Sequence, residues 1–329
     1  NVCAFYHIDC QTFLEIISKI SPIQNLCQLL ELISLSSEFS SFSPRKNENY
    51  ELDRLANIVP IPVKFSKKTK DFKVNVLVQS YIENIFIKSE SLQIDCSYIC
   101  KKALKISRIM FEISLLKKWA NVTQLCINLY LAIKNRGWYN QKDIWKSLKG
   151  RIKKKYSEFF KKKNLSLFGI QNLKKKELEY TLNSKRGTVG LLESITFLPF
   201  FDLEISVEPI TRYTLKVYIN LVLLISKLNH STEQFVGIWI FIEDQICDTL
   251  IYSKYLALKN LSLKKNYKFF FLLPILENPF SPYYSIKLKF EHNPILNTEY
   301  IVDLTKILYP LNLSMETFVP NFRKVPMSR

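Results

Sequence analysis

Glycine is scarce in this chain, with 6 in 329 residues, and none of them builds G-x-G-x-x-G or G-x-x-x-x-G-K-[ST]. The backbone cradle that holds a nucleotide phosphate is therefore missing, which argues against an intrinsic NTPase. The seven cysteines, Cys3, Cys10, Cys27, Cys96, Cys100, Cys126 and Cys247, form no C-x-x-C pair and have no paired histidines beside them. A zinc site has no support in that spacing, and scattered thiols suit a reducing compartment. Histidine is rarer still: His7, His230 and His292 stand far apart, and no G-x-S-x-G accompanies them. A nucleophile–base–acid constellation has no sequence support. The longest apolar run, "VYINLVLLI" at 217–225, is interrupted by Asn220 and reaches about half the length that crosses a bilayer. No signal peptide is visible, and the chain opens on Asn1 rather than Met, as a piece excised from a longer protein would.

What is present is a large apolar inventory and one sign of charge in one place. At 47% hydrophobic and 13% aromatic residues the chain can bury a real core, and its length suits two or three domains. The net charge of +18 is segregated: 23 of the 47 basic residues but only 5 of the 29 acidic ones lie between Lys101 and Arg186. The remaining 24 of each sign balance. Codon drift in an A/T-rich genome accounts for lysine outnumbering arginine, but it does not segregate charge. A clustered basic block is the electrostatic footprint of a polyanion-binding surface, although each lysine triplet alone reads as a solvated face.

Periodicity divides the chain into an α part followed by a β part. Residues 1–144 read as a helical bundle: "QTFLEIISKI", "NLCQLLELISLSSEF", "YELDRLANIV", "KVNVLVQSYIENIFI" and "NVTQLCINLYLAIKNRGW" carry apolar residues at helical spacing. Ser21-Pro22, the polar loop 43–49 and "PIPVKFSKKTKDF" divide them. Residues 145–198 read as a small basic helix-loop-helix or helical hairpin. After Pro199 the period becomes two, and 199–310 reads as an immunoglobulin- or fibronectin-like β-sandwich of about seven strands. An extended linker, 311–329, follows.

The helix around "YICKKALKISRIMFEI" (98–113) carries two files. Ile99, Ala103, Ile106, Met110 and Ile113 have the spacing of a buried stripe, and Lys101, Lys105, Arg108 and Glu112 repeat that spacing two residues later. The expected helix runs from an N-cap at Asp95 to Trp119, which returns to the azimuth of Lys101.

At these residues the sequence resembles a known family. "SLSSEF" with Arg45 following, "VPIPVK", "VLVQSYI", the 98–113 stretch with Trp119, "RGW" at 136–138, "PITRYTLKV", "IWIFIED" and "PILENPFSPYY" are similar to the unit shared by the Sec-sixty-three translocation protein and the large Ski-two-like RNA helicases. "VPIPVK" with "PITRYTLKV" resembles the first of two such units in the spliceosomal members, which unwind paired small nuclear RNAs. The resemblance implies a non-catalytic C-terminal unit, without cofactor of its own, standing behind RecA-like and winged-helix domains that use ATP and Mg. It implies a nuclear protein of the splicing machinery, with single-stranded RNA and spliceosomal proteins as partners and no membrane role. In the family the helix matching residues 98–119 is a ratchet helix across the RNA channel, so the expected RNA-binding residues there are Lys101, Lys102, Lys105, Arg108 and Trp119. Lys102 departs from the small or polar residue of the family pattern, whereas Lys105 keeps the charge. The hairpin adds Lys174, Lys175, Lys185 and Arg186, with Gly187 as its turn. The resemblance equally admits a translocon-binding unit that touches no nucleic acid, or a related helicase acting on DNA or in translation-coupled signalling. The basic file and the lysine-rich hairpin favour RNA.

Overall fold

The computed structural model describes residues 2–138, 200–211, 213–225, 236–244, 246, 248–258, 266–275, 281–291 and 297–307. The expected hairpin at 145–198 and linker at 311–329 lie outside the described residues. Helices fill the first part: α1 (Val2–Tyr6), α2 (Cys10–Lys19), α3 (Leu26–Leu35), α4 (Asn49–Ala56), α5 (Lys70–Glu83), α6 (Glu90–Leu116) and α7 (Ala120–Asn135). Their boundaries follow local chemistry. Asn25 accepts from the Gln28 amide while Gln28 Oε1 accepts from the Asn25 amide, a reciprocal cap that starts α3. Thr69 caps α5, and Asn84, in the left-handed conformation at φ 56°, ends it.

Helix α5 is buried on every side from Phe72 to Ser80, which is how a helix without an amphipathic stripe survives: its neighbours surround it. Its β-branched residues Val74, Val76 and Val78 are fully enclosed. The "VPIPVK" segment lies along it, because the Gln79 side chain both accepts from the Ile61 amide at 3.0 Å and donates to the Ile61 carbonyl at 2.9 Å. Two of the family markers are thus one structural joint.

Among the described residues seven strands follow in two antiparallel sheets. A three-stranded sheet has the order β1 (Phe200–Thr211), β2 (Thr214–Ile225), β5 (Asn266–Pro274), and a four-stranded sheet has the order β4 (Thr249–Leu258), β3 (Val236–Asp244), β6 (Tyr283–Phe290), β7 (Thr298–Asp303). Alternate residues of both sheets, among them Leu215, Val217, Ile219, Ile238, Ile240, Phe271, Ile286 and Leu288, form one core.

Strand β3 is buried on both faces. Ile238, Ile240 and Ile242 point into the sheet–sheet core, whereas Trp239 and Phe241 join the core of the helices. The Phe111 ring of α6 meets Trp239 edge-on at 4.9 Å and Phe241 at 6.2 Å. Helices and four-stranded sheet therefore share a hydrophobic interior, with Lys118 O accepting from the Leu250 amide at 2.9 Å and Asp248 O accepting from the Ala120 amide at 3.1 Å.

Candidate nucleic-acid interface

The apolar file of α6 is placed as its spacing demands: Ile99, Ala103, Ile106 and Met110 are fully buried and Ile113 nearly so. The helix itself starts earlier and ends sooner than expected. Ser89 precedes its first turn, and Asp95 lies inside it rather than capping it. The reason is a buried charge: Lys73 of α5, 1% exposed, donates to Asp95 Oδ2 and to Glu48 Oε2, each at 2.7 Å. Arg45 completes the cluster with a 3.1 Å contact to Glu48, and Ser91 donates to Glu48 at 2.9 Å. Burial alone would push the Glu48 carboxyl up, but the bonds from Lys73, the Arg45 amide and Ser91 outweigh it and hold it below its ordinary value.

At the other end α6 stops at Leu116, and Lys118 turns the chain at φ 56°. Trp119 then precedes α7, bridges to Thr249 of β4, and packs against the helical core with Lys117 5.3 Å from its ring. It does not continue the azimuth of Lys101, since the left-handed residue breaks the helical phase before it.

The basic candidates separate into three environments. Lys101 is exposed and Lys105 half-buried, and neither has an ion pair or hydrogen-bonding partner for its side chain among the described residues. Lys102 is committed instead, paired with Glu38 and donating to the His7 carbonyl at 3.0 Å. That glutamate belongs to "SLSSEF". Arg108, whose side chain is 26% exposed, donates from Nε to Glu112 Oε1 at 2.8 Å, and Tyr6 of α1 donates to the same oxygen at 2.6 Å. Its guanidinium lies 5.2 Å from the Trp239 ring, 5.3 Å from Phe111 and 5.4 Å from Tyr130. The file is thus open at Lys101 and enclosed at Arg108. Lys174, Lys175, Lys185 and Arg186 lie outside the described residues.

Sequence reasoning missed the polar seam between α7 and the four-stranded sheet. Gln124 donates to Glu243, whose other oxygen takes Lys287 at 2.6 Å. Burial still pushes the Glu243 carboxyl up despite Lys287. Lys134 pairs with Glu291 at 2.6 Å, Tyr255 donates to the same carboxylate at 2.8 Å, and Lys289 donates to Asn128 at 2.5 Å. Desolvation drops the Lys289 ammonium to about 8. The signal was available in "VGIWIFIED": a run without a polar partner on alternate positions marks a strand covered on both faces.

Comparison with known proteins gives the Sec63 Brl domain as the family whose pattern matches residues 1–302. The human "U5 small nuclear ribonucleoprotein 200 kDa helicase" is 26% identical over 100% of this chain and 15% of its own length. The Arabidopsis thaliana "DExH-box ATP-dependent RNA helicase DExH13" is 31% identical over 88% of this chain and 13% of its own. A Dictyostelium discoideum protein, "Activating signal cointegrator 1 complex subunit 3-like", is 26% identical over 89% and 13% respectively. The chain therefore spans about a seventh of the curated relatives it matches.

Proposed function

The chain belongs to the Sec63 Brl domain family, and on that premise we propose that it is the non-catalytic C-terminal unit of a nuclear pre-mRNA splicing helicase. In this reading α6 guides single-stranded RNA while RecA-like and winged-helix domains in cis supply ATP- and Mg-driven unwinding of paired small nuclear RNAs. The observation that carries it is the pair Lys101 and Lys105, one helical turn apart on α6, with ammonium groups uncommitted among the described residues, on a helix whose apolar file is buried. Two such charges attract phosphates without reading bases. The naming of relatives as RNA helicases supports RNA over a translocon as the partner.

Protein docking is the second half of the reading. Helices cover the outer face of the four-stranded sheet, whereas on the three-stranded sheet Phe270 and Leu272 of β5 are exposed next to Tyr218 and Lys216 of β2, with Asp202, Glu204 and Glu208 exposed one strand further on, along β1. Exposed apolar residues with charges of both signs around them fit spliceosomal proteins that present apolar and charged residues together.

The test uses the full-length protein carrying Lys101→Glu and Lys105→Glu. Binding to a 20-nucleotide polyuridylate should weaken by tenfold or more and crosslinks to residues 98–116 should vanish, with the melting temperature nearly unchanged. Parental RNA affinity and parental unwinding in that variant would overturn the RNA reading.

A further inference from the structure

We propose that Arg108 is a positioning residue for the basic face of α6 and not itself a phosphate contact. The inference rests on the RNA reading of Lys101 and Lys105 and assigns Arg108 a different task. Its charge is already answered by Glu112, and its planar group stands against three rings drawn from three elements: Phe111 of α6, Tyr130 of α7 and Trp239 of β3. Trp239 is held in turn by Tyr255, whose ring lies 4.9 Å away and whose hydroxyl donates to Glu291, the partner of Lys134 on α7.

Arg108 therefore ties α6 to the four-stranded sheet at one point of its circumference. Interdigitating apolar side chains set how a helix is turned about its own axis, and turning it breaks those contacts. A fork fixed to a carboxylate and stacked on rings from other elements resists that rotation. Rotation of α6 is what sets where Lys101 and Lys105 point, since both lie on the helical face that Arg108 anchors. Lysine could replace the charge of Arg108, but neither its fork nor its stacking.

That asymmetry supplies the test. In the full-length protein, binding of 20-nucleotide polyuridylate is measured against salt, and unwinding is measured on a duplex with a single-stranded overhang. Each lost phosphate contact flattens the log–log salt slope by about 0.7. Lys101→Ala with Lys105→Ala should flatten it by about 1.4. Arg108→Lys and Arg108→Ala should leave the slope at the parental value, because the long side chains of Lys101 and Lys105 still reach phosphate from a slightly turned helix, yet slow unwinding about three- to tenfold, as loss of desolvated cation–ring contacts would. Tyr130→Leu, which removes one ring and no charge, should slow unwinding in the same direction with the slope unchanged, and it serves if the Arg108 variants fold poorly. A slope that flattens by about 0.7 in Arg108→Ala and recovers in Arg108→Lys would make Arg108 a phosphate contact and overturn the proposal. Parental unwinding in all three Arg108 and Tyr130 variants would overturn it as well. An unchanged slope in the Lys101 and Lys105 variant would instead remove the RNA reading on which the proposal stands.

Discussion

At the scale of single residues the most consequential group is Lys73. It is buried between Glu48 and Asp95 with 2.7 Å to each, so removing it strands two carboxylates in the interior with Arg45 the one cation left beside them among the described residues. Breaking such a cluster from one side costs about 3–5 kcal/mol, and Lys73→Met should lose that much in urea unfolding of the protein. The pH dependence should also change sign. In the parent, Glu48 titrates below its unfolded value, so its stabilisation is present above the ordinary carboxylate range and is lost as pH falls through the folded value. Without Lys73 burial would dominate and raise the Glu48 pKa, so acid should then stabilise the variant relative to neutral pH. Unfolding midpoints measured from about pH 7 to 4 distinguish the two slopes; parallel curves would mean that Glu48 does not feel Lys73. Gly237 is a second single-residue constraint. A Cβ there would meet the Tyr255 hydroxyl and stand 2.5 Å from Glu291 Oε2. Gly237→Ala should therefore displace the two groups that hold the end of α7, lowering the melting temperature by a few degrees.

At the scale of elements, α6 shows what periodicity reveals and what it hides. A stripe at i, i+4, i+7 is dictated by helix geometry and needs no tertiary information, so Ile99, Ala103, Ile106, Met110 and Ile113 were legible as core. The alternation of β1–β2 and β5 was legible for the same reason, because a sheet with one open face must alternate. The ends of α6 were not. Asp95 has the residue type of a cap, and only Lys73, 22 positions away in sequence, makes it an interior residue. Trp119 falls at the right azimuth on paper, but Lys118 adopts a left-handed conformation to let the chain reach β4. Arg108 looked like its neighbours because nothing in a local pattern announces Trp239, 131 positions later. The files should accordingly fail differently. Ile106→Ala, at a fully buried site, should cost about 2–5 kcal/mol. Lys101→Ala should cost within about half a kcal/mol. A Lys101→Ala variant as destabilised as Ile106→Ala would show that the open face of α6 is packed against something else.

At the scale of the whole molecule, the helices and the four-stranded sheet are coupled through an apolar centre with a polar rim. Trp239 and Phe241 insert beside Phe111, and the pairs Gln124–Glu243, Lys134–Glu291 and Lys289–Asn128 surround them. The rim confers register more than strength, because each charged pair there offsets a desolvation cost that Glu243 and Lys289 both register in their shifted titration. The aromatic centre should then carry most of the coupling. Trp239→Ala removes a large buried side chain, a loss of about 3–5 kcal/mol, and it removes it from the shared interior rather than from the sheet–sheet core. Hydrogen exchange on the full-length protein reads the consequence directly. Amides of α6 and α7 should lose protection together with those of β3 and β4 in this variant, while α3 and α5, which pack against each other as well as against α6 and α7, keep theirs. Ile240→Ala, which empties the sheet–sheet core instead, should deprotect β2, β3, β5 and β6 and leave α6 near its parental protection. Were both variants to deprotect every helix and strand equally, the molecule would open as a single unit, and α6 could not be rotated or released independently of the sheet that anchors it.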